Sequence, residues 1–445
     1  MTQTQTIAAS PWPGFRKPLP AMVAIVFKPL HAAIASPVLI FLVALSAMLF
    51  RPPDLKTFPL DRVAFLVLIA VFALRLCLRR ERPQTYAATW PMLALMLLAM
   101  WGALGESNAP QAWSLLTAKW IVPFTLFHMA GSIFRDQGSL RKLENFSVVV
   151  LSYLALVSVF FLLDAKPLIF PRFILDEGIG IHADRARGPM LQAVANGVCL
   201  NILGLVALDS FRRRMIRGIW PPLLFLMVPL ALLATKTRTV WLSAALCVSY
   251  LALFGSHRRV CRPALALCAI AGIAFCGALV YETDAGALND RVLDRSPVEF
   301  RLEMYQTGWQ MFTEKPFAGW GSEANIQPEI AKRVTGFHPE RYLFHNTYLE
   351  LAVERGVIGL GLYVWLMVSL FRLAKRPASN LISEGQFLDA QFRRLWPVIL
   401  MAYVLNANAV VMNYQFVNGF LFTLAGILAA QNAGVQQYPL TKAGR

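Results

Sequence analysis

The stretch FHNTYLELAVERGVIGLGLYVWLMVSLF, residues 344–371, sets a histidine, two carboxylates and an arginine at the mouth of a long apolar run. Histidine is the side chain that titrates most readily near neutral pH, and it is the commonest general base. His345 just precedes Thr347-Tyr348-Leu349-Glu350, a Ser/Thr-x-x-Glu capping box ahead of an apolar run. The spacing predicts a helix that starts at Thr347. The positive end of its macrodipole disfavours imidazolium and keeps His345 neutral, able to take a proton from a hydroxyl. A lone histidine here is more ordinarily an interfacial residue bonded to a loop; its basic company shifts that balance.

That company is spread along the chain. Arg185 and Arg187 stand in IHADRARGPMLQAVANG, Lys236 and Arg238 in ATKTRTVW, Arg301 in SPVEFRLEMYQTGWQMF, and His338 and Arg341 just ahead of His345. Each has a plain alternative: helix capping, snorkelling at an interface, or a surface pair of Arg301 with Glu299 or Glu303. Together they describe a basic site at membrane level. Arginine grips phosphate bidentately, so the set suits a lipid-linked phosphate or pyrophosphate donor and a hydroxyl acceptor. The arginines would hold negative charge on the departing pyrophosphate while His345 activates the acceptor. No Asp-x-Asp occurs in these loops, and the pair Asp290 and Asp294 is a weak metal motif. The expectation is therefore metal-free chemistry without a cofactor, with arginine as the cation. Glu350 and Glu354 are supporting candidates, to orient His345 or brace the helix mouth.

The elements that must position these groups are membrane helices. The 445 residues are 57% hydrophobic and 15% charged, against about 25% charged in soluble domains. Twelve apolar runs stand near 21–50, 61–78, 89–105, 113–134, 146–163, 190–210, 219–235, 239–256, 263–281, 347–371, 390–411 and 415–432, most of them close to the ~18–20 residues that cross hydrocarbon. The expected class is an all-α polytopic membrane protein of about twelve transmembrane helices. It divides into 1–281 (nine spans, with a loop near 164–189), a large, partly helical loop over 282–346, and 347–445 (three spans and a tail).

Loops bearing Arg79, Arg80 and Arg82, then Arg135, Arg141 and Lys142, then Arg212, Arg213, Arg214 and Arg217, then Arg258, Arg259 and Arg262, then Arg372, Lys375 and Arg376 alternate with the others. The positive-inside rule puts these in the cytoplasm, with both termini. The net charge of +17 is then mostly an orientation signal with some attraction to lipid headgroups, and its short clusters argue against nucleic acid. Lys236, Arg238, Arg185 and Arg187 fall on the outer side, against the trend. In the large loop Leu302, Tyr305 and Trp309 trace an amphipathic face. Gly356, Gly359 and Gly361 offer a small face for helix packing. None of the six cysteines forms a CxxC, and no disulfide framework is suggested.

RLEMYQTGWQMFTEKPFAGWGSEANI followed by HNTYLELAVERGVIGLGLYVWL, with RARGPMLQAVANG and TKTRTVWL upstream, resembles the O-antigen ligase and O-antigen polymerase superfamily. The signature covers roughly 299–366. The resemblance implies a C-type, metal-independent, inverting glycosyltransferase of the bacterial inner membrane. It would move a glycan from undecaprenyl pyrophosphate to an acceptor at the periplasmic face. By the motif, His345 matches the base, Arg238 and Arg301 match arginines that engage the donor pyrophosphate, and Arg187 matches an Arg-Gly element. Lys236 is an addition that could share phosphate contacts. In the ligases the acceptor is lipid A–core oligosaccharide. A polymerase or a protein O-oligosaccharyltransferase would use the same donor. A polyprenyl-phosphate lipid transporter is the alternative of another class, but it should carry charges near the midplane. Here, Lys119 apart, they gather at the rim.

Overall fold

The computed structural model describes residues 37–50, 60–79, 84–104, 109–180, 182–255, 258–259, 261–263, 265–266, 296–321, 323–334, 342–374 and 386–434. His338 and Arg341 lie outside them, as do Asp290, Asp294, the run at 263–281 apart from its first residues, and most of the first run. The other runs each fall on a helix, and no strand occurs among the described residues. The helices are α1 (Val38–Leu49), α2 (Leu60–Arg79), α3 (Thr89–Leu104), α4 (Ala109–Leu116), α5 (Val122–Ile133), α6 (Gln137–Leu162), α7 (Ala193–Arg212), α8 (Trp220–Ala234), α9 (Arg238–Leu253), α10 (Ser296–Glu314), α11 (Glu323–Ala331), α12 (Thr347–Arg372), α13 (Ala390–Ala407) and α14 (Gln415–Asn432). A π turn over Thr117–Ile121 joins α4 to α5.

Three of them, α6, α7 and α12, are long and apolar enough to cross a membrane by length and composition. The apolar helices α1, α3, α8 and α9 are shorter. Exposed large side chains such as Leu66, Leu97, Trp101 and Leu226 are what an all-helical membrane protein presents to lipid.

Close packing follows the small residues. α5 and α14 make the most extensive contact. Gly131 faces Ala430, and a Cβ on Gly426 would overlap the Phe127 carbonyl. Without water there is no hydrophobic force between lipid-embedded helices, so this close approach of backbones is what binds them.

At one end the helices are tied by charge. Arg213 pairs with Glu144 of α6 and, at 2.8 Å, with Asp209 of α7; Arg212 pairs with Asp209 at 2.8 Å and Asp389 at 2.9 Å. Asp389 also caps α13 through the Gln391 and Phe392 amides. The Arg212–Arg213 cluster is therefore more than an orientation signal. Its buried members would be costly to leave unpaired.

α12 departs most from the sequence expectation. It starts at Thr347 as anticipated, but Asn346 caps it, accepting from the Tyr348 and Leu349 amides. Thr347 Oγ1 is used elsewhere, donating to Val410 O at 2.8 Å and accepting from Met412 N at 3.0 Å. The helix breaks at Gly356, with φ 63° and ψ −162°, a conformation open essentially to glycine alone. The turn Pro316-Phe317-Ala318-Gly319-Trp320-Gly321 fills the break. Val353 O accepts from Trp320 N (2.8 Å), Glu354 O from Gly321 N (3.0 Å), and Val357 N donates to Pro316 O (2.7 Å). Every polar residue of the helix mouth thus lies in the piece before the break, 347–355. Gly356 is a break point rather than part of a smooth small face, and a Cβ on Gly361 would meet nothing.

The face of α10 is also corrected. Leu302 and Trp309 are exposed, at 56% and 62%, whereas Met304 and Met311 are fully buried and Thr307 nearly so. Gly308 sits against Leu349 and Phe344, so α10 lies on the mouth of α12 in a small core with Ile326, Ile330 and Val353.

Candidate active site

His345 is delivered by the extended stretch 342–344, whose Tyr342 backbone is clamped at both ends by Gln327 of α11 (N–H to Oε1 2.8 Å, carbonyl from Nε2 2.9 Å). The histidine then turns left-handed, φ 51°, before Asn346 opens α12. That backbone costs an L-residue roughly 1–3 kcal/mol. It is held by the Asn346 cap, the Thr347 anchor and the Tyr305 hydroxyl, which donates to His345 O at 3.5 Å and Asn408 O at 3.1 Å. His182 (φ 55°) and Lys236 (φ 47°) are left-handed as well, so strained backbone gathers where the chemistry was expected.

Three elements bring cations to this point. Arg301 lies one turn before Tyr305 on α10. Arg238 is the first residue of α9. Arg185 is half-buried in the loop before α7, which is tied to the end of α8 by Ala186 N donating to Ala234 O at 3.0 Å. That bond places the RAR stretch beside the Thr-Lys-Thr-Arg turn. Burial, with Arg301 and Arg238 close by, lowers the Arg185 guanidinium's affinity for its proton, and its Nε is buried without a hydrogen-bond partner. Burial, then Arg301, then His182 push His345 down to about 4. The imidazole is therefore neutral at pH 7, as a base must be.

Arg187 is placed differently. Its side chain is wholly buried and donates to three carbonyls of its own loop: Ile174 O (3.0 Å), Ile179 O (2.6 Å) and Asp176 O. It shapes the loop, and Arg185 is the member of the pair among the clustered cations. Lys236 stands in the turn beside Arg238. Sequence reasoning missed His182 and Tyr305. Both stood in segments already singled out, and Tyr305 sits at i+4 from Arg301.

Glu350 and Glu354 turn toward a second group. Glu350 pairs with Lys119 of the π turn at 2.7 Å, both nearly buried. Arg355 packs its guanidinium on Gly102 of α3. These four charges line a cleft of about 120 Å³ with Glu323, Gln327, Trp120 and Tyr342. Lys119 and Arg355 lie with Glu350 and Glu354 there, so these two carboxylates brace the helix mouth rather than face Arg185, Arg238 and Arg301.

Residues 222–364 match the family model described as O-antigen ligase. Over that stretch, about a third of the chain, the protein is similar to the O-antigen ligase family. No curated protein matches the chain. The O-antigen ligase match runs from α8 through the break in α12. It takes in Lys236, Arg238, Arg301, Tyr305, His345, Glu350 and Glu354, whereas His182, Arg185 and Lys119 come from outside it. Members of the O-antigen ligase family are membrane-associated and glycosyltransferase-like, which agrees with the apolar helices.

Proposed function

We propose that the protein is a glycosyltransferase of the ligase type, which transfers a glycan from undecaprenyl pyrophosphate to the lipid A–core oligosaccharide of lipopolysaccharide. The observation that carries this reading is the neutral His345 set beside Arg301, with Arg185 and Arg238 close by. In the step, an acceptor hydroxyl oxygen attacks the anomeric carbon from the face opposite the leaving group. The new C–O bond forms as the bond from carbon to the pyrophosphate oxygen breaks, and configuration inverts. A ring nitrogen of His345 takes the hydroxyl proton. The electron pair leaves on undecaprenyl pyrophosphate, where Arg238, Arg301 and Arg185 hold the growing negative charge, aided by Lys236. This charge stabilisation lets arginine serve where other transferases place a divalent cation.

The reading includes a C-type fold of about twelve spans in the bacterial inner membrane, both termini cytoplasmic and His345 at the periplasmic face. Arg238 at the start of α9 and His345 at the start of α12 support a site at one rim of the bundle, where a polyprenyl tail can stay in lipid. The test is reconstitution of the purified protein with undecaprenyl-pyrophosphate-linked glycan, with and without lipid A–core. The expected product is glycosylated lipid A–core. Glycan-on-glycan extension without transfer to lipid A–core would assign a polymerase instead. Movement of the donor across the bilayer without any transfer would assign a transporter.

A further inference from the structure

The helices that present the His345 site at one end frame a second basic cleft at the other. α7 and α9 begin beside Arg185 and Arg238, α12 begins at His345, and α13 ends beside Asn408, to which Tyr305 is bonded. At their opposite ends stand Arg212 on α7, Tyr250 on α9, Ala374 just past α12 and Arg393 on α13, around one cleft of about 1190 Å³. With ~1.5 Å of rise per residue, the length of α9 separates the two sites by roughly a bilayer leaflet or more.

The cleft is lined by Arg258, Arg259 and Arg262 from the segment after α9, by Arg393 and Arg394 from the first turn of α13, and by Arg212. Among the described residues no Asp or Glu lines it. Arg212 is neutralised by Asp209 and Asp389, but Arg258, Arg259 and Arg394 are exposed and have no carboxylate partner among the described residues. Arg393 is 3% exposed; its terminal nitrogens donate to Leu373 O, Asn432 Oδ1 and Gln431 Oε1. Its buried Nε lacks a partner. Concentrated like charge without a counterion is destabilising, and a buried unpaired donor more so; both ask for an anion. The rest of the wall is apolar, with Phe254 68% and Tyr250 53% exposed beside the arginines. A soluble anion would leave those rings bare, whereas acyl chains would cover them.

We infer that this arginine cleft binds an anionic phospholipid, its phosphodiester held by Arg258, Arg259 and Arg394 and its chains laid on Tyr250 and Phe254. Basic pockets between helices are a recurrent way to hold such headgroups. The lipid would clasp α7, α9 and α13 at the end remote from the reaction.

The experiment is native mass spectrometry of the purified full chain titrated with cardiolipin, phosphatidylcholine or inorganic pyrophosphate. Thermal stability is read in parallel. The expected result is a preference for cardiolipin over phosphatidylcholine of at least about tenfold, with a raised melting temperature. The triple variant R258A/R259A/R394A should lose that preference, while R141A/K142A, which removes exposed charge outside the cleft, should keep it. His345→Ala should bind cardiolipin as the wild type does, so failure here is separable from failure of the proposed transfer. Equal loss in both charge variants would overturn the inference, as would pyrophosphate stabilising the protein as well as cardiolipin does.

Discussion

His345 is hard to protonate. Burial and the Arg301 guanidinium set it at about 4, below the ~6.5 of a free histidine. The acid limb of kcat/KM, which reports the free enzyme, should therefore fall near pH 4. Arg301→Ala should move the limb upward toward 6.5, and an unmoved limb would remove Arg301 from the histidine's surroundings. The sign for stability is the same. Between pH 6.5 and 4 the unfolded chain binds a proton that the folded site refuses. This histidine therefore lowers stability as pH falls through that window and contributes no pH dependence above it. The two neighbouring arginines should separate cleanly. Arg185→Ala should lower kcat/KM by about 10²-fold with little change in melting temperature. Arg187→Ala should lower the melting temperature, since it releases three carbonyls of its loop and strands the buried one of Ile174 at about 1–3 kcal/mol. Transfer kinetics and thermal unfolding measured on both variants check this. That Arg238 and His345 stand at helix starts was legible in the sequence, because a tight turn and a capping signal flank them. The choice between Arg185 and Arg187 was not, because a loop has no period to say which guanidinium faces in. The carbonyls of 174, 176 and 179 turn Arg187 inward through contacts that no local pattern encodes.

At the scale of elements, the break in α12 carries the site. Gly356→Ala would put a Cβ into the Phe317 carbonyl on a backbone that only glycine tolerates. The variant should unfold at markedly lower temperature, by more than the ~1–3 kcal/mol of backbone strain alone. Wild-type stability would show that the turn 316–321 does not occupy the break. The Lys119–Glu350 pair spans α12 and the π turn. Lys119→Met should strand a buried carboxylate and cost about 3–5 kcal/mol, and Lys119→Met with Glu350→Gln should recover much of it. A double variant no more stable than the single would deny the pairing; thermal unfolding in detergent reads both. The sequence showed where α12 begins but not that it breaks, since a glycine in an apolar run looks like a packing residue until a loop is seen to enter. Nor could it choose the face of α10. Met304 and Met311 repeat as well as Leu302 and Trp309 do, and only contact with Phe344 and Leu349 decides between them.

For the whole molecule, the apolar runs foretold a helical protein built to sit in lipid, because run length and hydropathy answer directly to bilayer thickness. What they could not foretell is how distant pieces meet. The loop before α7, the turn before α9, the helix α10 and the mouth of α12 converge through long-range bonds such as Ala186 to Ala234 and Tyr305 to Asn408. The account's central claim is that this convergence is a glycosyl-transfer site with His345 as its base. It is tested most directly by comparing purified wild type and His345→Ala in liposomes. Transfer from undecaprenyl-pyrophosphate-linked glycan to lipid A–core and binding of the donor would be measured side by side. The account predicts transfer slowed by about 10²–10⁴-fold with donor binding retained; transfer by His345→Ala at the wild-type rate would contradict it.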